Sequence, residues 1–137
     1  MKKGILVVIS GPSGVGKNTI ASKIVEQGYG IYSVSMTTRK RREGENEGSD
    51  YFFVTEEVFK SYILEDKFLE YAKYNNNYYG TLKDFVFHNL NNGTNVIAVL
   101  DIQGGMEIEK IFPQAVLVFI MPPSFEELER RLKKRNT

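Results

Sequence analysis

The part of the sequence that most constrains the fold lies near the amino terminus, where an apolar run leads directly into a glycine-rich segment. Residues 5–9 are all apolar, residues 10–19 read Ser-Gly-Pro-Ser-Gly-Val-Gly-Lys-Asn-Thr, and apolar residues then recur at helical spacing over 20–25. A strand, a glycine-rich turn and a helix together form the local structure that a phosphate-binding loop requires. An ordinary glycine-rich turn is the weaker alternative, because the glycines are followed at once by a lysine.

The residue types in this segment suit an anion. Its three glycines lack a Cβ and tolerate positive φ, so that backbone N–H groups can approach a phosphate closely at the positive end of the following helix. Lys17 would add a positive charge that reaches the β- and γ-phosphates. The usual motif continues with a Ser or Thr whose hydroxyl binds Mg²⁺, but here the residue is Asn18, and Thr19 is the next hydroxyl.

Two further apolar runs, at 96–100 and 116–120, predict strands of the same kind, with a helix over 105–112 between them. Strands that are apolar on both faces and alternate with helices indicate a parallel sheet covered on both sides. Residues 34–90 have a different sequence pattern, which predicts short aromatic strands and short helices. We expect residues 31–36 to form one short strand. We therefore predict an α/β domain of three core strands with residues 34–90 as an insertion.

The composition of the chain excludes several classes of protein. The length of 137 residues suits one domain, and the absence of cysteine excludes a disulfide framework and a thiolate metal site. No apolar run is long enough to cross a bilayer, and a net charge of +1 gives no general attraction to nucleic acid or to a membrane surface. We expect a cytoplasmic protein. The chain stops in a cationic helix with no closing element, so we also expect a C-terminally incomplete domain.

Two carboxylates stand next to apolar strands. Asp101 follows the run at 96–100, where a carboxylate can face a nucleotide and help to hold Mg²⁺, although it could instead cap the next helix. Glu70 lies in an otherwise aromatic and apolar stretch, either on the solvent face of a strand or as an acceptor for the N–H groups of a ligand.

A second group of residues favours a local anion site. Arg39 and Arg42 carry planar guanidinium groups suited to bidentate phosphate binding, and Tyr51 and Tyr79 could donate hydroxyl hydrogens to the same anion. A solvated basic turn with core-packing tyrosines is the alternative. The only histidine, His88, cannot complete a catalytic triad or a histidine metal cluster.

The motifs resemble those of the guanylate kinases, which belong to the nucleoside-monophosphate kinases, and the resemblance covers the whole chain. It rests on Gly-Pro-Ser-Gly-Val-Gly-Lys at 11–17, Ser-Met-Thr-Thr-Arg at 35–39, Arg-Glu-Gly-Glu at 42–45, Gly-Ser-Asp-Tyr-Phe-Phe at 48–53, Phe-Leu-Glu-Tyr-Ala at 68–72, Tyr-Tyr-Gly-Thr at 78–81, Asp-Ile-Gln-Gly at 101–104 and Pro-Pro-Ser at 122–124. It implies a P-loop NTPase three-layer α/β fold with a parallel core sheet (1–33 and 91–129), an inserted GMP-binding segment (34–90) and the start of an incomplete lid (130–137).

The resemblance implies an enzyme that transfers the γ-phosphoryl group of ATP to GMP or dGMP with Mg²⁺, with no nucleic-acid or membrane partner. It assigns ATP binding to Gly11, Pro12, Ser13, Gly14, Val15, Gly16, Lys17, Asn18 and Thr19. It assigns GMP binding to Ser35, Arg39, Arg42, Tyr51, Glu70, Tyr79, Thr81 and Asp101. Catalytic roles fall to Lys17, Arg39, Arg42, Arg131 and Arg135, and Mg²⁺ to Thr19 and Asp101 through water.

Two other functions remain open at this point. A non-catalytic guanylate-kinase-like binding module is one, although such modules typically have a degraded phosphate loop and this chain keeps Lys17 and Asp101. A chain that binds GMP without turning it over, because most of the lid is missing, is the other. The sequence does not indicate an oligomeric state.

Overall fold

The computed structural model describes residues 2–12 and 14–135, without the side chains of Phe125, Leu128 and Arg135. No helix within these ranges has both the length and the apolar character needed to cross a membrane. The strands are β1 (Leu6–Ser10), β2 (Ile31–Tyr32), β3 (Ser35–Thr37), β4 (Tyr51–Phe53), β5 (Phe68–Tyr74), β6 (Asn77–Leu82), β7 (Val96–Val99) and β8 (Val116–Phe119). The helices are α1 (Lys17–Glu26), α2 (Glu56–Leu64), α3 (Lys83–Asn91), α4 (Ile102–Ile111) and α5 (Phe125–Arg135).

The core sheet is parallel and has the strand order β2-β7-β1-β8. Its central strand β1 buries residues on both faces. Leu6 and Val8 pack in the cluster that includes Ile108 of α4, whereas Ile9 packs with Ala21 of α1. Burial of this kind explains the apolar runs that form β1 and β7, and the sheet confirms the predicted α/β class. The expectation of cover on both faces is wrong for β8, where Val116, Val118 and Phe119 are exposed.

A second sheet lies within residues 34–90 and has the order β4-β3-β6-β5. Strand β3 pairs in parallel with β4 and antiparallel with β6, and β5 and β6 form an antiparallel hairpin. One face of the hairpin packs on α2, where the ring of Phe59 stacks on Phe68 and Tyr78 at centroid distances of 4.5 and 5.1 Å. The other face of the hairpin remains available to line a cavity.

The prediction of one strand over 31–36 is wrong. Ile31–Tyr32 joins the core sheet beside β7, which gives that sheet a fourth strand, and Ser35–Thr37 belongs to the second sheet. The backbone N–H of Ser33 still donates to Ile97 O, at 2.8 Å, before the chain crosses between the sheets. The division depends on pairing with residues far along the chain, which a local pattern cannot encode.

The helix expected at 105–112 begins earlier, at Ile102, because Asp101 caps it. The glycine pair at 104–105 lies inside the helix and is buried. A Cβ on Gly105 would come within 3.1 Å of both Leu117 Cδ1 and Ser10 Oγ. The glycine therefore allows α4 to lie close against the core sheet, at the cost of helix propensity.

Candidate nucleotide-binding site

The glycine-rich segment forms the turn between β1 and α1. Gly14 and Gly16 have φ values of 80° and 97°, a region that side chains with a Cβ rarely occupy. Gly16 is the N-cap of α1 and has no side chain to accept from the first-turn N–H groups, which leaves these donors for an anion. Lys17 Nζ donates to Gly11 O at 2.9 Å, so the ammonium group is held over the loop.

A cavity of about 460 Å³ lies between the start of α1, the carboxyl end of β7 and the second sheet. It brings together residues that the sequence separates by more than eighty positions. Nine of the predicted site residues line it: Lys17, Asn18, Ser35, Arg39, Arg42, Tyr51, Glu70, Tyr79 and Asp101.

Glu70 supplies a buried carboxylate to this cavity, with 5% of the residue exposed. Its Oε1 accepts a hydrogen bond from the Thr81 hydroxyl at 3.0 Å, and its Oε2 has no partner among the residues that the structure describes. Burial raises the pKa of the Glu70 carboxyl to about 7, against the hydrogen bond from Thr81, which lowers it. A buried acceptor without a donor is costly unless a ligand supplies one.

Arg39 lies in the basic part of the cavity. Its Nη1 and Nη2 donate to Glu45 Oε1 and Oε2 at 3.0 and 2.9 Å, and its guanidinium lies 5.2 Å from the centroid of the Tyr51 ring. The hydrogen bond with Glu45 raises the pKa of the Arg39 guanidinium and lowers that of the Glu45 carboxyl. Burial raises the pKa of the Tyr51 hydroxyl, which therefore stays a hydrogen-bond donor at neutral pH.

Asp101 has two roles that the sequence left as alternatives. Its Oδ1 accepts the N–H of Gly104 at 2.7 Å, which caps α4, and the residue also lines the cavity. The main-chain oxygen of Asp101 accepts a further hydrogen bond from Ser10 Oγ, at 2.9 Å. The carboxylate is thus fixed at the carboxyl end of β7 with its second oxygen still available.

The other predicted residues that the structure describes do not line the cavity. Thr81 lies behind Glu70, and Thr19 is exposed on α1. Arg131 of α5 donates from Nη1 to Val15 O at 2.8 Å, which joins the last helix to the phosphate loop. Ser13 and the side chain of Arg135 lie outside the described residues.

Sequence reasoning missed several residues at this site. Glu45 was noted only as part of the motif at 42–45 and as one of several acidic residues after the basic run at 39–42, and no local signal showed that it would pair with Arg39. Ala72 and Tyr74 also line the cavity, at the same alternate positions of β5 as Glu70. That period of two is visible in the sequence and could have indicated one shared face of a strand.

The parallel sheet, the glycine loop at the end of its central strand and the adjoining polar cavity define the class of α/β nucleotide-binding proteins. The family model for guanylate kinase matches residues 3–137. The chain belongs to the guanylate kinase family.

Individual relatives agree with this assignment. The guanylate kinase of Caldanaerobacter subterraneus subsp. tengcongensis is 51% identical over 137 residues, covering 99% of this chain. That of Clostridium acetobutylicum is 50% identical over 136 residues. The chain spans 66% and 65% of the lengths of these two relatives. A crystal structure of guanylate kinase from Anaplasma phagocytophilum superposes with a TM-score of 0.83 at 37% identity, covering 97% of this chain and 68% of that one.

Proposed function

We propose that the protein transfers the γ-phosphoryl group of ATP to GMP, and to dGMP, giving ADP and GDP or dGDP. The observation that carries this proposal is Glu70, a buried carboxylate with one unpartnered oxygen, in the same cavity as Arg39 and Lys17. That cavity combines an acceptor for the edge of a base with two separate positive groups for phosphates. Family membership supports the same reaction.

Recognition of guanine follows from hydrogen-bond chemistry. Guanine presents N1–H and 2-amino donors, and the open oxygen of Glu70 can accept from them. Adenine has an acceptor at N1 and no 2-amino group, so it would leave the buried Glu70 carboxylate unpaired. Thr81 holds the carboxylate in place, and the Ser35 hydroxyl and the Asp101 carboxylate supply further polar groups beside it.

The acceptor phosphate would bind where Arg39, Arg42, Tyr51 and Tyr79 line the cavity. Two guanidinium groups supply charge and planar pairs of donors, and two phenolic hydroxyls supply neutral donors. These four side chains would fix the attacking phosphate oxygen in line with the donor, which is the main protein contribution to phosphoryl transfer.

The donor phosphates would bind at the loop of residues 11–16, with Lys17 near the transferring group. Positive charge on the equatorial oxygens lowers the barrier because negative charge is spread over them in the transition state. Arg131, already bound to the loop at Val15, would add to this charge. We propose corresponding roles for Ser13 and Arg135 on the resemblance alone.

The donor set of the cavity fits Mg²⁺. Asn18 and Asp101 line the cavity with Lys17, and an amide oxygen and one carboxylate, completed by phosphates and water, suit this hard cation. Thr19 is exposed, so we propose that it contacts the ion only through water. When bound, Mg²⁺ would neutralise charge on the ATP phosphates.

We also propose that different segments of the chain bind the two nucleotides. Residues 1–33 and 91–129 would form the core that binds ATP, residues 34–90 the GMP-binding segment, and residues 130–137 the start of a lid. The two sheets separate at this first boundary, which supports the division. The setting that we propose is purine nucleotide metabolism in the cytoplasm.

A coupled assay that follows ADP formation tests the proposal, with GMP, dGMP, AMP and dTMP as acceptors. We expect turnover with GMP and dGMP, and little with the other two. Lys17→Ala should abolish turnover, and Lys23→Ala, which removes an exposed lysine from the last turn of the same helix, should leave it unchanged. Preference for AMP or dTMP, or full activity of Lys17→Ala, would contradict the assignment.

A further inference from the structure

The loop that connects β3 to β4 is organised around Glu45. Its carboxylate accepts both Nη groups of Arg39 and also the backbone N–H of Arg42, the latter at 2.7 Å. Its main-chain oxygen accepts from Arg41 Nη1 at 2.6 Å. Three arginines of the basic run therefore contact this one acidic residue.

The hydrogen bonds of Arg39 show which of its N–H groups already have an acceptor. Nη1 donates to Lys40 O at 2.9 Å as well as to Glu45, and Nη2 donates one hydrogen to Glu45. The opposite edge, with Nε–H and the second Nη2–H, makes no bond to a carboxylate or a carbonyl in the described part of the chain. Arg39 also has hydrogen-bond interactions with the side chains of Tyr51 and Tyr79. A guanidinium that is held along one edge presents its other edge in a fixed direction.

The burial of the pair supports a positioning role. The side chains of Arg39 and Glu45 are only 11% and 20% exposed, and Arg39 lies against the rings of Tyr51 and Phe53 at 5.2 and 6.0 Å. The backbone N–H of Arg42 fixes Glu45 in turn, so the carboxylate does not depend on Arg39 for its own orientation.

From this arrangement we propose that Glu45 is a positioning residue, which orients Arg39 so that the edge that Glu45 does not hold meets the phosphate of the monophosphate substrate. The proposal rests on the proposed function, because it assumes that the cavity beside Arg39 binds a nucleoside monophosphate. Glu45 itself does not contact the substrate in this scheme. It acts by reducing the number of conformations that Arg39 samples before binding.

The test is Glu45→Gln, compared with Glu43→Gln, which removes the same charge from an exposed side chain in the same loop. Calorimetry should show GMP binding weakened about 10- to 100-fold by Glu45→Gln and by no more than about twofold by Glu43→Gln. The KM for GMP should rise in parallel, and the KM for ATP should stay within about twofold of the wild-type value. Equal effects of the two variants would overturn the proposal.

A double-mutant cycle with Arg39→Lys shows whether Glu45 acts through Arg39. Lysine cannot form the bidentate pair, so Glu45→Gln should change GMP binding by no more than about twofold in the Arg39→Lys background. An effect as large as in the wild-type background would rule out action through Arg39. Thermal unfolding of each variant shows whether the fold is intact. Glu45→Asp, which keeps the charge but shortens the side chain by one methylene, provides a second variant in case Glu45→Gln does not fold.

The outcomes separate this inference from the proposed function. If the wild-type protein does not bind GMP, the proposed function fails and the inference fails with it. If the wild-type protein binds GMP and the Glu45 and Glu43 variants bind it equally well, the function stands and the positioning role is wrong.

Discussion

Arg131 and Val15 lie 116 positions apart in the chain, yet Arg131 Nη1 donates to the main-chain oxygen of Val15 at 2.8 Å. Glu127, one turn earlier in α5, holds the Nε of Arg131 at 2.8 Å. Gly14 brings the loop and the helix together, since a Cβ there would lie 2.9 Å from Leu132 Cδ2. The last helix is thus packed on the phosphate loop and places a guanidinium beside it.

Arg131→Ala should lower kcat for GMP phosphorylation about 100-fold, because it removes a positive group next to the transferring phosphoryl. Arg130→Ala is the matched control. Arg130 also binds Glu127 but is exposed and makes no bond to the described residues of the loop, so its loss should change kcat by no more than about threefold. Steady-state kinetics with saturating ATP and GMP measures both, and equal losses would show that Arg131 acts only through helix stability.

Glu70→Gln should reduce the preference for GMP over AMP by about 100-fold. The amide keeps the shape of the side chain but loses the charged acceptor for the guanine donors, so GMP should bind less tightly. Because the amide carries no charge, binding of adenine no longer leaves a buried charge unpaired, and AMP is excluded less strongly. The ratio of kcat/KM for the two acceptors measures this preference. An unchanged ratio would mean that the base lies away from Glu70.

The same substitution should stabilise the ligand-free protein at alkaline pH. Burial raises the pKa of Glu70 to about 7 from an ordinary value of 4.5, so the folded state keeps a proton that the unfolded state releases. Stability is therefore lost as pH rises from about 4.5 to 7, by an amount on the order of 3 kcal/mol. Urea unfolding should show Glu70→Gln more stable than wild type at pH 8, with this advantage absent at pH 4.

Substitution of Asp101 separates its two roles. Asp101→Asn keeps a side-chain oxygen for the Gly104 N–H, so the free energy of unfolding should change little, whereas Asp101→Ala should cost about 1 kcal/mol. Both variants remove the carboxylate from the cavity, and both should weaken the Mg²⁺ dependence of nucleotide binding. Full nucleotide affinity in Asp101→Asn would indicate that the residue serves only as a cap.

Gly80→Ala should destabilise the second sheet by about 1–3 kcal/mol. A Cβ at this position would lie 2.5 Å from Phe68 Cε1, and the Phe68 ring is buried in a stack with Phe59. Adding Phe68→Leu should restore part of the loss, because the smaller side chain makes room for the methyl group. Chemical denaturation of the single and double variants measures the effect, and additive losses would show that the two positions do not compete for space.

The elements that the sequence predicts well are those with a strong local cause. The run 5–9 and the following glycines specify a buried strand and its turn independently of the rest of the chain. Thr55 is likewise a residue type that favours the N-cap position, and its hydroxyl accepts the backbone N–H of Val58 at the start of α2. Helix α3 also follows from a local pattern, because its buried residues Val86 and Leu90 lie four positions apart on one side of the helix.

The features that the sequence did not predict depend on distant partners. Strands β2 and β3 separate because one pairs with β7 and the other with β6, and neither partner is near in sequence. Glu43, Glu45 and Glu47 look alike in the sequence. Only the folded structure of the loop between β3 and β4 shows that Glu45 binds Arg39 and that Glu47 instead accepts the N–H of Phe53 at 2.9 Å.

The two sheets share no β-ladder, although a single cavity touches both. Arg39 and Tyr79 belong to the part of the chain built on the second sheet, and Lys17 follows the central strand of the core. The two sheets are joined by side-chain packing instead, because Leu69 of β5 is buried in the core cluster with Leu6 and Val8. The distance between Arg39 and Lys17 therefore depends on this apolar packing and not on strand pairing.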